Sequence, residues 1–252
     1  MESQETRTTS TPAAAPMQAA PSRVSVGSVL GRSLETLLKN PVVFFGLTLA
    51  VMLPLSIIAS LLPSEFAMVI TVIFSAILGF VIQGAVAYGV FQTLRGNTAG
   101  IGDALGRGFV RFIPILIASI LIGLGVGIGM MLLIVPGVML MCIWAVTIPV
   151  CAVEKKGAID SMKRSAELTK GYRWTIFGLF LITGIITGVL STLLSVLLLP
   201  ILSGSLLVFT IIQSIIVAIP QTFQYVMTAT IYYDLRAEKE GVSIDSLANV
   251  FD

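Results

Sequence analysis

The chain has 252 residues, of which 56% are apolar and only 11% charged. Soluble domains carry roughly 45–50% apolar and roughly 25% charged residues, so a water-soluble fold of this size could not cover its surface with so few charges. A net charge of +2 falls short of the dense basic face that nucleic acid needs. The absence of histidine removes the commonest general base and a common metal ligand. Composition describes an integral membrane protein.

Met1 to Ser22 is polar and rich in Thr, Ala and Pro, with no apolar core of a signal peptide. It reads as a disordered cytoplasmic tail, leaving residues 23–252 as one membrane domain. Six apolar runs follow, each measured against the roughly 20 helical residues that cross a bilayer. They are Val42 to Leu62, Phe66 to Leu94, Phe112 to Ile134, Val138 to Val153, Trp174 to Leu199 and Leu206 to about Tyr233. The fourth has 16 residues, about 24 Å at 1.5 Å per residue. It either begins inside the preceding Val135-Pro136-Gly137 turn or leaves that turn below the membrane surface.

Six spans put all fifteen basic residues on one side, from Arg7, Arg23, Arg32, Lys39 and Arg95 through to Arg236 and Lys239. The opposite loops carry a single charge, Glu65. The positive-inside rule then places both termini in the cytoplasm of a multi-pass protein.

The segments before the span pairs align without gaps: Ser28 to Ser33, Asp103 to Gly108 and Asp160 to Ser165, with a truncated fourth copy at Ile244 to Leu247. Each opens on a polar residue suited to capping a helix. Apolar residues follow at helical spacing, Leu105, Phe109 and Phe112 in one copy and Ile159, Met162 and Ala166 in another. Asp160, Lys163, Arg164 and Glu167 make a polar face with opposite charges three and four apart. Such helices lie in the headgroup plane. Gly100, Gly157 and Gly241 sit just before the copies, where the chain must turn. The expected fold is all-α: three transmembrane hairpins, each preceded by an amphipathic interfacial helix, in a pseudo-threefold repeat.

Gly123, Gly125, Gly127 and Gly129 imitate a nucleotide-binding loop but lie inside an apolar span with no strand–turn–helix context. They read as two interleaved GxxxG patterns for close helix packing, repeated by Gly184 and Gly188. Cys142 and Cys151 are nine residues apart and point to opposite sides of a continuous helix, at about 100° per residue; they read as buried thiols. Pro54, Pro149 and Pro220 are expected to kink their helices. Pro220, Gln221 and Gln224 form the most polar stretch of any span and mark a candidate cavity, although hydrogen bonding between helices is the simpler use of such amides.

The hydrocarbon region, so delimited, has no Asp, Glu, Lys or Arg, which argues against proton relays, voltage sensors and most ion-coupled carriers. On the cytoplasmic side Arg32, Arg107 and Arg164 recur at one offset, with Arg111, Lys170 and Arg173 nearby. They are candidates for contact with anionic headgroups or a partner protein; enforcing topology is the alternative. No nucleophile–base pair, carboxylate dyad or metal cluster emerges, so no catalytic residue, cofactor or metal is expected.

Ala158 to Trp174, running into Ile176-Phe177-Gly178, and the closing Tyr232-Tyr233-Asp234-Leu235-Arg236 with Glu240-Gly241-Val242 carry a family resemblance. They are similar to the membrane domain of glycerophosphoryl diester phosphodiesterases and to YciC-like uncharacterised inner-membrane proteins. The resemblance implies a six-helix domain in a bacterial cytoplasmic membrane without an agreed activity; the soluble phosphodiesterase barrel is missing, so no catalytic residue is carried over. The functional expectation is a non-enzymatic scaffold or regulator that binds membrane lipids, or another membrane or cytoplasmic protein, through its basic face. The alternative is a transporter or channel for a small or lipidic solute. Nucleic acid is not an expected partner.

Overall fold

A computed structural model describes residues 24–94, 100–202 and 206–241. The N-terminal tail, Arg7, Arg23, Arg95, Gly204 and the fourth repeat copy lie outside the described residues. The described residues form ten helices and no strand: α1 (Val26–Lys39), α2 (Pro41–Ser60), α3 (Ser64–Leu94), α4 (Ile101–Val110), α5 (Phe112–Leu132), α6 (Ile134–Ile143), α7 (Thr147–Val153), α8 (Ala158–Thr169), α9 (Arg173–Leu202) and α10 (Leu206–Glu240). Six stretches are long and apolar enough to cross a membrane, with α6 and α7 together supplying the fourth from Ile134 to Val153. The protein is a multi-pass membrane protein.

Within the bilayer, helices associate through van der Waals fit and interhelical hydrogen bonds, because lipid tails are as apolar as the side chains. The best-fitted region joins α3, α10 and α2. Phe44 and Leu47 of α2, Ile82 and Val86 of α3, and Val226, Met227 and Ile231 of α10 are buried together. Phe91 and Tyr233 stack with centroids 5.9 Å apart, and the Tyr233 hydroxyl donates to the Ala87 carbonyl at 3.1 Å. By contrast α9 presents most of its length to the surroundings, Ile185, Ile186, Val189 and Leu193 among its exposed side chains.

The three short helices α1, α4 and α8 precede the span pairs as expected, but their caps fall three residues earlier than the sequence reading places them. The N-caps are Ser25, Gly100 and Gly157. Ser28, Asp103 and Asp160 are therefore each the third residue of their helix, and Arg32, Arg107 and Arg164 each the seventh. In α1 the Ser25 and Ser28 hydroxyls reciprocally satisfy each other's backbone N–H, a capping box. In α4 and α8 a carboxylate in the first turn complements the helix dipole instead.

The apolar stripes of α4 and α8 turn to the protein only in part: Leu105 packs against the core. Phe109 and Ile159 are exposed, whereas Ala104 and Gly108 of α4, and Ser161, Ser165, Leu168 and Thr169 of α8, are buried. In a bilayer the large apolar residues can rest against lipid, and the small residues let the backbones approach.

A second correction concerns the fourth span. It begins at Ile134, one residue before the expected Val135-Pro136-Gly137 turn, which it absorbs, and breaks at Trp144-Ala145-Val146 into α6 and α7. Cys142 and Cys151 are buried, as expected, but occupy two different helices. Non-helical backbone in a membrane must find partners within the protein. Here the Ile143 carbonyl accepts from the Ser165 hydroxyl at 2.9 Å and the Thr169 hydroxyl at 3.1 Å, so the buried polar stripe of α8 serves the break. Pro149 lies in the first turn of α7, where a missing N–H costs no helical bond, while Pro54 and Pro220 are spanned by continuous helices.

The glycines divide sharply. A Cβ at Gly137 would lie 2.6 Å from the Met130 backbone nitrogen, and one at Gly129 would lie 2.9 Å from the Gly137 Cα. Gly125 makes room for the Trp144 ring. These contacts let α5 and α6 meet across the single residue Leu133. Gly123, Gly127, Gly184 and Gly188 have nothing within 4 Å of a Cβ, so close packing within this chain is not their use. The α5–α6 joint is apolar and open, with Met131 90% exposed and Ile134 and Val135 each 73% exposed.

Candidate functional site

Apart from Glu65 in the first turn of α3, the charged residues described gather at one end of the bundle, where α1 and α8 meet the last turns of α10 and α4 packs on α3. Lys155 takes φ +55°, unusual for a residue with a side chain, and this tight turn after α7 leaves Glu154 on the protein side with its side chain 8% exposed. Glu154 Oε1 accepts from Arg164 Nε at 3.3 Å and from the Tyr232 hydroxyl at 3.1 Å, and Oε2 lies 2.8 Å from Lys156 Nζ. Arg236 Nη1 donates to the Tyr232 oxygen at 3.0 Å and Arg236 Nε to Glu240 at 2.8 Å. Glu240 in turn pairs with Arg164. Burial pushes the Glu154 carboxyl up, but Lys156, Arg164 and Arg236 together hold it below the ordinary glutamate range.

The repeated arginines meet different fates. Arg32 Nη2 lies 2.8 Å from Asp234 Oδ2, the arginine 39% exposed and the aspartate 6%. This is an ion pair without hydrogen-bond alignment, since Oδ2 accepts no hydrogen bond. Arg164 belongs to the Glu154–Glu240 cluster. The Arg107 guanidinium sits over the Tyr88 ring, 4.7 Å from its centroid, beside a small recess that it lines with Lys155 and Phe91. Arg111 Nη1 donates to the Lys155 carbonyl at 3.3 Å. Lys170 is exposed and its carbonyl accepts from Lys239 Nζ at 2.8 Å.

Arg173 occupies another setting. It lies at the head of a groove of about 210 Å³ between α6 and α9, whose walls include Val138, Met139, Cys142, Trp174 and Phe177. The Arg173 Nε–H is buried and has no hydrogen-bond partner. Trp174 is 78% exposed at the rim and meets Phe177 edge to face. A cation above an apolar trough, flanked by an exposed indole, suits a membrane–water boundary.

The candidate cavity residues separate. A cavity of about 550 Å³ lies between α2, α3 and α10, in the half of the bundle remote from the charged end, and Gln221 and Tyr225 line it. Pro220 is not on its wall. Gln224 turns toward α9 and accepts from the Thr183 hydroxyl at 3.3 Å. Sequence reading missed Glu154, Tyr232, Asp234 and Glu240 as a group. The available signal was an acidic residue closing the apolar run at Asp234.

Residues 108–235 match the family model of a domain of unknown function, DUF7847. No curated protein and no solved structure matches the chain.

Proposed function

The chain belongs to the DUF7847 family, a domain of unknown function, and from its charged end we propose that it is a non-enzymatic membrane protein that binds anionic lipid there. The observation that carries this reading is the Arg173 groove. A buried guanidinium N–H left unpaired costs about 1–3 kcal/mol, and a phosphate oxygen on Arg173 removes that cost through a charge-assisted bond. The acyl chain of the same lipid would lie along Val138, Met139 and Phe177, with Lys170 exposed nearby. Arg32 and Arg164, by contrast, are engaged with carboxylates and act as clamps.

In this proposal the charged end faces the cytoplasm of a bacterial inner membrane, as the positive-inside rule requires. There each basic residue near an anionic surface contributes about 1 kcal/mol. The three short helices, with matched third and seventh residues, support a threefold repeat of interfacial helix and hairpin. The likeness of residues 158–178 and 232–242 to the membrane domain of glycerophosphoryl diester phosphodiesterases belongs to the same reading. The floor of the remote cavity, closed by the Thr222–Thr48 hydrogen bond at 2.8 Å and the buried run from Val226 to Leu235, favours a binding protein over a solute conduit.

The test is native mass spectrometry of the full chain with phosphatidylglycerol. The double change Arg173→Gln and Lys170→Gln should lower bound phosphatidylglycerol several-fold while the protein stays monodisperse. Unchanged occupancy in the folded double variant overturns the proposal.

A further inference from the structure

The remote cavity carries a separate inference, independent of the Arg173 site. It is a half-open cleft, and its volume, about 550 Å³, lies within the roughly 300–1,000 Å³ of small-molecule sites. Among the described residues no charged side chain lines it. Met52, Leu55, Ala76, Phe209 and Val217 supply apolar wall, and a polar stripe runs down α10 through Thr210, Ser214, Gln221 and Tyr225.

That stripe is rich in acceptors. Ser56 and Ser214 hold their oxygens 2.6 Å apart, while their hydroxyls also reach the Leu53 and Thr210 carbonyls at 2.9 and 2.7 Å. Two hydroxyl protons thus serve three acceptors. The Thr48 hydroxyl turns to the Phe44 carbonyl, at 3.2 Å, and its oxygen accepts from Thr222. Each hydroxyl oxygen has two lone pairs, so the wall keeps acceptor capacity, and the Gln221 amide on the same wall adds a carbonyl acceptor. An anionic headgroup would meet no cation here, and burying it unpaired would be prohibitive.

We infer that this cavity binds an uncharged lipid that carries a free hydroxyl, its O–H on the Ser214–Gln221 stripe and its apolar body against α2 and α3.

The probe is a photoactivatable dioleoylglycerol added to the full chain in detergent, with cross-links mapped by mass spectrometry. Cross-links should concentrate on Met52, Leu55 and Phe209. Unlabelled dioleoylglycerol should compete at least fivefold better than its 3-acetyl ester, than squalane or than phosphatidylglycerol. Ala76→Phe with Val217→Trp, which fills the space, should reduce these cross-links about tenfold. Ser214→Ala with Gln221→Leu keeps the volume and should abolish the preference for the free hydroxyl; this pair decides the matter if the filled variant does not fold. Cross-links spread evenly over α5 and α9, equal competition by squalane or the acetyl ester, or stronger competition by phosphatidylglycerol each overturn the inference.

Discussion

Arg32 and Asp234, 202 positions apart in the chain, meet at 2.8 Å and tie α1 to α10. Because Asp234 is buried and Arg32 partly open, Arg32→Met strands a carboxylate. Breaking a fully buried pair costs about 3–5 kcal/mol; water reaching Arg32 reduces this to about 2–3 kcal/mol. Arg32→Met with Asp234→Leu should recover most of the loss. The midpoint of unfolding in mixed dodecyl sulfate and maltoside micelles measures both, and a double variant no better than the single one would refute the pairing as its cause.

Glu154 gives the charged end an acid limit. Its carboxyl is held below the ordinary glutamate range by Lys156, Arg164 and Arg236, so the native state binds its proton less readily than the unfolded chain does. The resulting stabilisation is fully present above the ordinary glutamate pKa and disappears as pH falls through the lower, native value. Glu154→Gln should be less stable than wild type at pH 7, with the gap closing in that acid window. A gap independent of pH would show that the charge is not what matters.

The Ile143 carbonyl depends on α8. Ser165→Ala with Thr169→Val removes both hydroxyls that reach it and should cost about 1–3 kcal/mol, the penalty for a buried acceptor left unsatisfied. Hydrogen exchange at residues 144–150 should rise in the same variant. Unaltered exchange there would mean that the break holds itself together.

Gly137 and Gly184 are both small residues in apolar helices, yet only Gly137 is pressed by a neighbouring backbone. Gly137→Ala should cost about 1–3 kcal/mol by overpacking the α5–α6 contact. Gly184→Ala should change the same unfolding midpoint by no more than about 0.5 kcal/mol. Equal effects at the two positions would contradict the packing described.

Much of the fold is legible along the chain because lipid imposes a simple rule: apolar runs of sufficient length become spans. The break in the fourth span is not, since it depends on hydroxyls supplied by residues 22 and 26 positions later. The basic positions are equally visible, but their partners are not. Nothing near Arg32 or Arg164 in sequence announces Asp234 or Glu240, so the carboxylate partners of these two headgroup candidates emerge only in the fold. Arg173 was visible as a charge, yet its groove arises only when α6 lies beside α9. At the cavity, Gln221 and Gln224 look alike in sequence, and the neighbouring helices separate them by drawing one toward α2 and α3 and the other toward Thr183.

From Ile120 to Met141 no side chain carries an N–H or O–H group, and Met131, Ile134 and Val135 at the α5–α6 joint are widely exposed. Leu133, the one residue between the helices, donates its backbone N–H to Gly129 at 3.1 Å, while the N–H groups of Ile134 and Val135 open α6 without a side-chain cap and are left for water or a neighbour. A tip of this kind can rest at the membrane boundary, its side chains against lipid and those two amides toward water.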